Sequence, residues 1–239
     1  MRNIAKIMRM DWIHIRAKVL VPTLICILLF LPFAVLCMPQ VICCVIPVSG
    51  LAFYSVVNTE RRWSLERFYA TLPFTRAQFI FGRFCSMCAG LLCTAAVCAV
   101  IGHICVPLRC YIGRPGWYAA VLRWNATGYQ VWQTALFTFA ACCLIMGFQF
   151  LLLFLFGTEH ETAAALIGFP VMIILLVVLN ITVLELTGMT ALDWVHVRFV
   201  HIRDAAGVLY APFIALLGVL WMLLAACISA LLKRKGEWK

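Results

Sequence analysis

From Val19 to Val57 the chain runs for 39 residues without one Asp, Glu, Lys or Arg. As a single helix at 1.5 Å per residue, such a run would be about 58 Å long. The hydrocarbon core of a bilayer is only about 30 Å thick, so the run has to turn back on itself. Met38-Pro39-Gln40 supplies the turn, which places two spans at 19–38 and 41–57 with almost nothing exposed between them. The rest of the chain has the same character, being 65% hydrophobic and 12% charged, where soluble domains run at about 45–50% and 25%. That balance excludes a soluble globular protein, a disordered chain and a coiled-coil or collagen-like rod. The apolar runs also lack the in–out alternation of an outer-membrane barrel. Helices are the remaining way to satisfy backbone polar groups in lipid.

Further spans are expected at 79–106, 131–156, 162–186 and 207–232. The fold class is therefore an all-α integral membrane protein with six transmembrane helices, forming one transmembrane domain over residues 1–239. Ahead of the first span, Ile4, Met8, Trp12, Ile15 and Val19 recur at steps of three and four among Arg2, Lys6, Arg9, Arg16 and Lys18. This pattern predicts an amphipathic helix over 1–18 lying in the membrane interface. The apolar run behind it is longer than the core of a signal peptide and reads as a retained anchor. An even number of spans puts both termini on one side. The termini, the 58–78 segment and the base of the third span carry 14 Lys and Arg, and the opposite loops carry five. The positive-inside rule then makes the termini cytoplasmic, in a multi-pass protein of the cell membrane. It also accounts for the net charge of +10 through orientation and anionic lipid, with no nucleic-acid partner.

Little in the chain points to covalent chemistry. Most of the 13 cysteines lie in apolar runs, where Cys acts as a small hydrophobe. Cys85-Ser-Met-Cys88 has zinc-like spacing but lacks a second pair and a His, so no metal is expected. Cys105 and Cys110, at the start of an outer loop, offer one disulfide pairing. His160-Glu161 begins a zinc-protease motif that fails at Ala164, and no GxxxxGK[ST] nucleotide loop occurs. Thr158 and Glu161 read better as a capping box for the fifth span. His196, His201, Arg198, Arg203, Asp193 and Asp204 cluster among Val195, Val197, Phe199 and Ile202, as in an interfacial element, with substrate or gate contacts as the alternative. Polar residues inside spans are functional candidates; here Gln149, Asn180 and Glu185 are the candidate pathway positions.

The most informative stretch is NTERRWSLERFYATLPFTRAQFIFGR, residues 58–83. Leu65, Phe68, Tyr69 and Leu72 stand at i, i+3, i+4 and i+7, one stripe of a helix over 59–72. Glu60, Arg61, Arg62, Glu66 and Arg67 provide charge of both signs, and Pro73 ends the helix. Thr75 stands three residues before Gln78, a capping box for the third span. An amphipathic, two-signed helix at the base of two spans is either an interfacial linker or a docking element for a soluble partner.

Glu60, Arg61, Leu72, Pro73, Thr75, Arg76 and Arg83, in that order, resemble the pattern of the integral permeases of ABC-2-type ATP-binding-cassette exporters. In such permeases this segment is the coupling helix, which inserts into a groove of the ATPase. The resemblance implies that Glu60, Arg61, Arg62, Leu65, Glu66, Arg67, Phe68, Tyr69, Leu72, Pro73 and Arg76 meet that partner. It also implies a second permease subunit, as a homo- or heterodimer. The chain itself is then no enzyme and holds no cofactor, ATP and magnesium being bound by the ATPase. Two rivals stand beside this reading. An intramembrane enzyme needs paired His, Glu or Asp deep in the spans, and a sensor or assembly factor needs no ATPase.

Overall fold

A computed structural model describes residues 2–36, 39–62, 75–112, 128–156 and 209–233, and every described element is helical. In chain order these are α1 (Arg2–Leu36), a 3-10 segment (Pro39–Cys44), α2 (Val45–Arg62), α3 (Arg76–Ile112), α4 (Gly128–Phe156) and α5 (Tyr210–Lys233). Four of them contain stretches long and apolar enough to cross a membrane: Lys18–Val35, Ala77–Leu108, Val131–Gln149 and Tyr210–Leu231. A further apolar stretch, Pro39–Tyr54, is shorter. Part of it is 3-10 helix, which rises about 2.0 Å per residue, so it reaches about 27 Å, close to the thickness of the hydrocarbon core. The span expected at 162–186 lies outside the described residues.

The first apolar run does break beside Met38, but the two halves differ from expectation. Residues 2–36 form one unbroken helix, so the interfacial segment expected at 1–18 and the span expected from 19 are continuous. Nothing between them stops a helix: the intervening residues are good helix formers, and the first proline is Pro22. The second helix starts at Val45 rather than 41. Pro47 lacks the N–H that would bond the Cys43 carbonyl in an α-helical turn. The preceding residues accordingly wind as 3-10 helix, and the α-helical pattern is established only beyond them.

α3 is the common partner of the bundle, packing against α1, α2, α4, α5 and the 3-10 segment. Ile80, Phe84, Met87, Leu91, Ala95, Cys98, Gly102 and Cys105 are all buried, a seam at steps of three and four along its whole length. α2 lies antiparallel to it. A methyl group at Gly102 would meet Ile42, and one at Gly90 would collide with the Phe53 ring, so the two glycines set the register. α4 is also antiparallel to α3, with Val131 against Gly102 and the Cys88 and Cys143 thiols hydrogen-bonded. The described cysteines are free thiols, Cys105 among them, so the disulfide considered with Cys110 is not formed.

α4 and α5 make the most extensive pairing and run parallel to each other. Their axes approach closely because the residues between them are small. A Cβ on Gly218 would stand 3.0 Å from the Cα of Ala140, and Ala211, Ala215, Ala225, Ala226 and Ser229 continue the buried face of α5. Between lipid-solvated helices there is no hydrophobic drive to associate, and close packing at small residues takes its place. One polar contact locks the pair: the Trp221 indole donates to the Leu144 carbonyl at 3.1 Å and lies over Gly147, where a Cβ would come within 2.8 Å of Nε1. The opposite faces of α1 and α5 carry exposed Leu24, Leu28, Leu29, Leu216 and Leu224, the composition of a lipid-facing surface.

This packing predicts that Gly218→Leu costs about 1–3 kcal/mol through overpacking. Gly218→Ala is milder, since its single added methyl meets only Ala140, at 3.0–3.3 Å. Thermal unfolding of the detergent-solubilised protein should rank the midpoints as wild type, Gly218→Ala, Gly218→Leu, in falling order.

Candidate functional site

The region to which the sequence directs attention lies where α2 ends and α3 begins. α2 continues without interruption through Asn58 and Thr59 to Arg62. Glu60, Arg61 and Arg62 therefore continue α2 without a break and do not start a separate helix as expected from 59–72. Leu65, Glu66, Arg67, Phe68, Tyr69, Leu72 and Pro73 lie outside the described residues.

The entry into α3 is built as the sequence indicates. The Gln78 N–H donates to Thr75 Oγ1 and the Thr75 N–H donates to Gln78 Oε1, each at 3.3 Å. This reciprocal pair satisfies two of the amides left over at a helix start. The Phe79 N–H bonds the Thr75 carbonyl at 3.0 Å and begins the helical ladder. Arg76 is the first residue of α3. Because α2 and α3 are antiparallel neighbours, the end of one and the start of the other stand side by side, joined by residues 63–74.

Two turns into α3 the structure reveals a residue that sequence reasoning undervalued. Arg83 is only 4% exposed, the one buried charged residue among those described. Its guanidinium carbon lies 5.1 Å from the centroid of Phe79, one turn earlier on the helix, in a cation–π arrangement. Counted from Thr75 it is about 12 Å along the axis, inside the apolar stretch Ala77–Leu108. Arginine at the centre of a membrane helix costs about 2.5–3.5 kcal/mol on insertion scales, and such residues are kept for function by default. The sequence did hold the signal. Ile80, Arg83, Phe84, Met87 and Leu91 share one stripe, so the periodicity that buries the apolar members buries the arginine with them.

Gln149, a candidate pathway position, sits in α4 near the same end of the bundle. From the Cys88–Cys143 contact, five residues along α3 reach Arg83 and six along antiparallel α4 reach Gln149, so the two stand within about 1.5 Å of one level. The Gln149 Oε1 atom is buried and accepts no hydrogen bond. Asn180 and Glu185, the other two pathway positions, lie outside the described residues. Among those described, no group of three or more His, Cys, Asp or Glu gathers in metal-binding proximity.

Membrane-length helices, close packing at small residues and a charged segment joining two helix ends define a multi-pass helical membrane protein. The model of the ABC-2 family transporter protein matches residues 7–232, and the chain belongs to that family. No curated protein and no solved structure matches the chain.

The unmet acceptor on Gln149 carries a stability prediction. Leaving a buried acceptor unpaired costs about 1–3 kcal/mol, and an apolar group of like shape removes the penalty. Gln149→Leu should therefore raise the thermal midpoint in detergent. A fall in the midpoint would mean that Gln149 is hydrogen-bonded in solution.

Proposed function

We propose that this chain is the transmembrane permease subunit of an ATP-binding-cassette exporter, carrying an apolar or amphipathic substrate such as a peptide, drug or lipid outward. The observation that carries this reading is the family match over residues 7–232. Membership implies a transmembrane subunit that works with an ATP-binding-cassette ATPase, and this chain has no nucleotide loop of its own. ATP and magnesium then belong to the ATPase, and this chain binds neither. Two permeases and two ATPases form the working unit. Closing of the ATPases moves the segment between α2 and α3, and the paired bundles rock between inward and outward states.

Six spans with cytoplasmic termini suit the parallel packing of α4 and α5. Phe156 closes α4 at one end of the bundle, and Tyr210 opens α5 at the other. The intervening chain has to return across the thickness of the bundle, as a span at 162–186 would. On this topology the segment 58–78 faces the cytosol. Leu65, Phe68, Tyr69 and Leu72 then divide between lipid interface and ATPase groove, while Glu60, Arg61, Arg62, Glu66, Arg67 and Arg76 set encounter and register.

The test is recovery of the ATPase with the tagged permease from solubilised membranes, alongside substrate-stimulated ATP turnover. Burial of a Phe side chain is worth about 1.5–3 kcal/mol, so Phe68→Asp should lower ATPase recovery about tenfold or more while leaving membrane insertion intact. Arg67→Glu should slow assembly most at low salt. If both variants bind and couple like the parent, residues 59–72 serve only as a linker.

A further inference from the structure

We propose that Cys88 of α3 and Cys143 of α4 form an intramembrane dithiol site for trivalent arsenicals, uncharged compounds that bridge two sulfur atoms. The site does not depend on the permease reading. The two thiols share a hydrogen bond, so sulfurs from two different helices stand in contact. Cys143 is buried, Cys88 is half-buried, and both are free thiols. The antiparallel register of α3 and α4 holds them together. Val131 meets Gly102, fourteen residues beyond Cys88 on α3, and Cys143 lies twelve residues beyond Val131 on α4. Gly50 of α2 stands beside the same level. A Cβ there would lie 3.1 Å from Met146 and 3.4 Å from Leu91, each three residues from one of the thiols.

Depth decides which ligand suits the pair. Cys88 is eleven residues beyond Ala77, where the apolar stretch of α3 begins, or about 16 Å along the axis. That is close to the middle of a hydrocarbon core about 30 Å thick, where an adduct with net charge is costly. Two thiolates around a monovalent soft cation such as silver keep one negative charge in excess. Zinc takes four ligands, and among the described residues no third His, Cys, Asp or Glu joins the pair in metal-binding proximity. A mercuric ion balances the charge but holds two thiolates in a line, which forces apart sulfurs that are in contact. Trivalent arsenic meets both conditions. Its pyramidal bonding holds two sulfurs side by side, and its dithiolate is neutral.

The step is a condensation with no change of oxidation state. With phenylarsine oxide, two S–H bonds and the arsenic–oxygen bond break and two S–As bonds form. The oxygen leaves with both protons as one water. The half-buried Cys88 thiol is the point of entry. Two rival pairs exist. Cys43 and Cys98 are neighbours, but both are buried. Cys85 and Cys88 stand one turn apart on α3. A bridge from Cys88 to Cys143 ties α3 to α4, which neither rival does.

The test uses the full chain in detergent, with a protease site inserted between residues 113 and 127 and phenylarsine oxide as the probe. After reaction and cleavage, the fragment with α3 and the fragment with α4 should run as one species in a denaturing gel without thiol. Dimercaptopropanol should separate them. Mercaptoethanol at the same thiol concentration should not, because a monothiol competes against a chelate. Cys88→Ala and Cys143→Ala should each abolish the link, whereas Cys85→Ala and Cys98→Ala should leave it intact. Cys143→Ser, of nearly the same volume, takes the place of Cys143→Ala if that variant does not fold. A link that survives loss of the Cys143 thiol overturns the site. So does a wild-type chain that retains the arsenical while its fragments part, since the compound then sits on a pair within one fragment.

Discussion

Close approach of helix backbones at small residues is the interaction on which this bundle depends. In lipid, an exposed leucine is as well solvated as a buried one, so burial of apolar surface cannot gather the helices as it does in water. Gly218 against Ala140, Gly90 beneath Phe53 and Gly102 beneath Ile42 and Val131 let side chains and backbones interdigitate at distances a larger residue would forbid. The Trp221 indole adds a hydrogen bond to the Leu144 carbonyl where Gly147 makes room for it. The exposed leucines of α1 and α5, which would mark an aggregation-prone surface in a soluble protein, have the composition of a lipid-facing surface.

From this packing follows the central place of α3. It touches each of the other described helices, and it emerges from the bundle through a capped turn at Thr75 next to the last turn of α2. A force applied to residues between these two helix ends reaches the rest of the bundle through α3. That is the mechanical requirement of a subunit driven by a separate motor. Arg83, buried two turns inside this end, makes the region polar at a depth where the remaining seam is apolar.

Much of this was legible in the residues, and the failures have physical causes. The uncharged run of 39 residues forced a turn, and Pro39 marked its place. Thr75 and Gln78 announced a cap that forms as expected. Hydropathy places the start of the second helix at 41 because it sees Pro47 only as an apolar residue, whereas the missing N–H of Pro47 moves the α-helical start to Val45. The break expected before Glu60 does not exist, because a change from apolar to charged residues alters a helix's solvent but not its hydrogen bonding. Arg83 enters the charge count only as a basic residue at the base of the third span, because topology rules weigh sign and sequence position, whereas its burial follows from the three-and-four stripe it shares with Ile80 and Met87. No periodicity in one chain could indicate that the Gln149 carbonyl would lack a donor, since that depends on how the helices pack.

The central claim is that the segment between α2 and α3 faces the cytosol and rests on an ATP-binding-cassette ATPase. Ser64 lies within it, and a Ser64→Cys variant in a cysteine-depleted background reports on both parts. Membranes holding the permease and its ATPase would be treated with a short thiol-to-amine cross-linker, after an impermeant maleimide has been applied to the outside of intact cells. The account predicts that the outside reagent leaves position 64 unmodified and that the cross-linker then joins the chain to a protein carrying a Walker A loop. Blocking of position 64 from outside the cell, or its access from the cytosol without any such adduct, would contradict it.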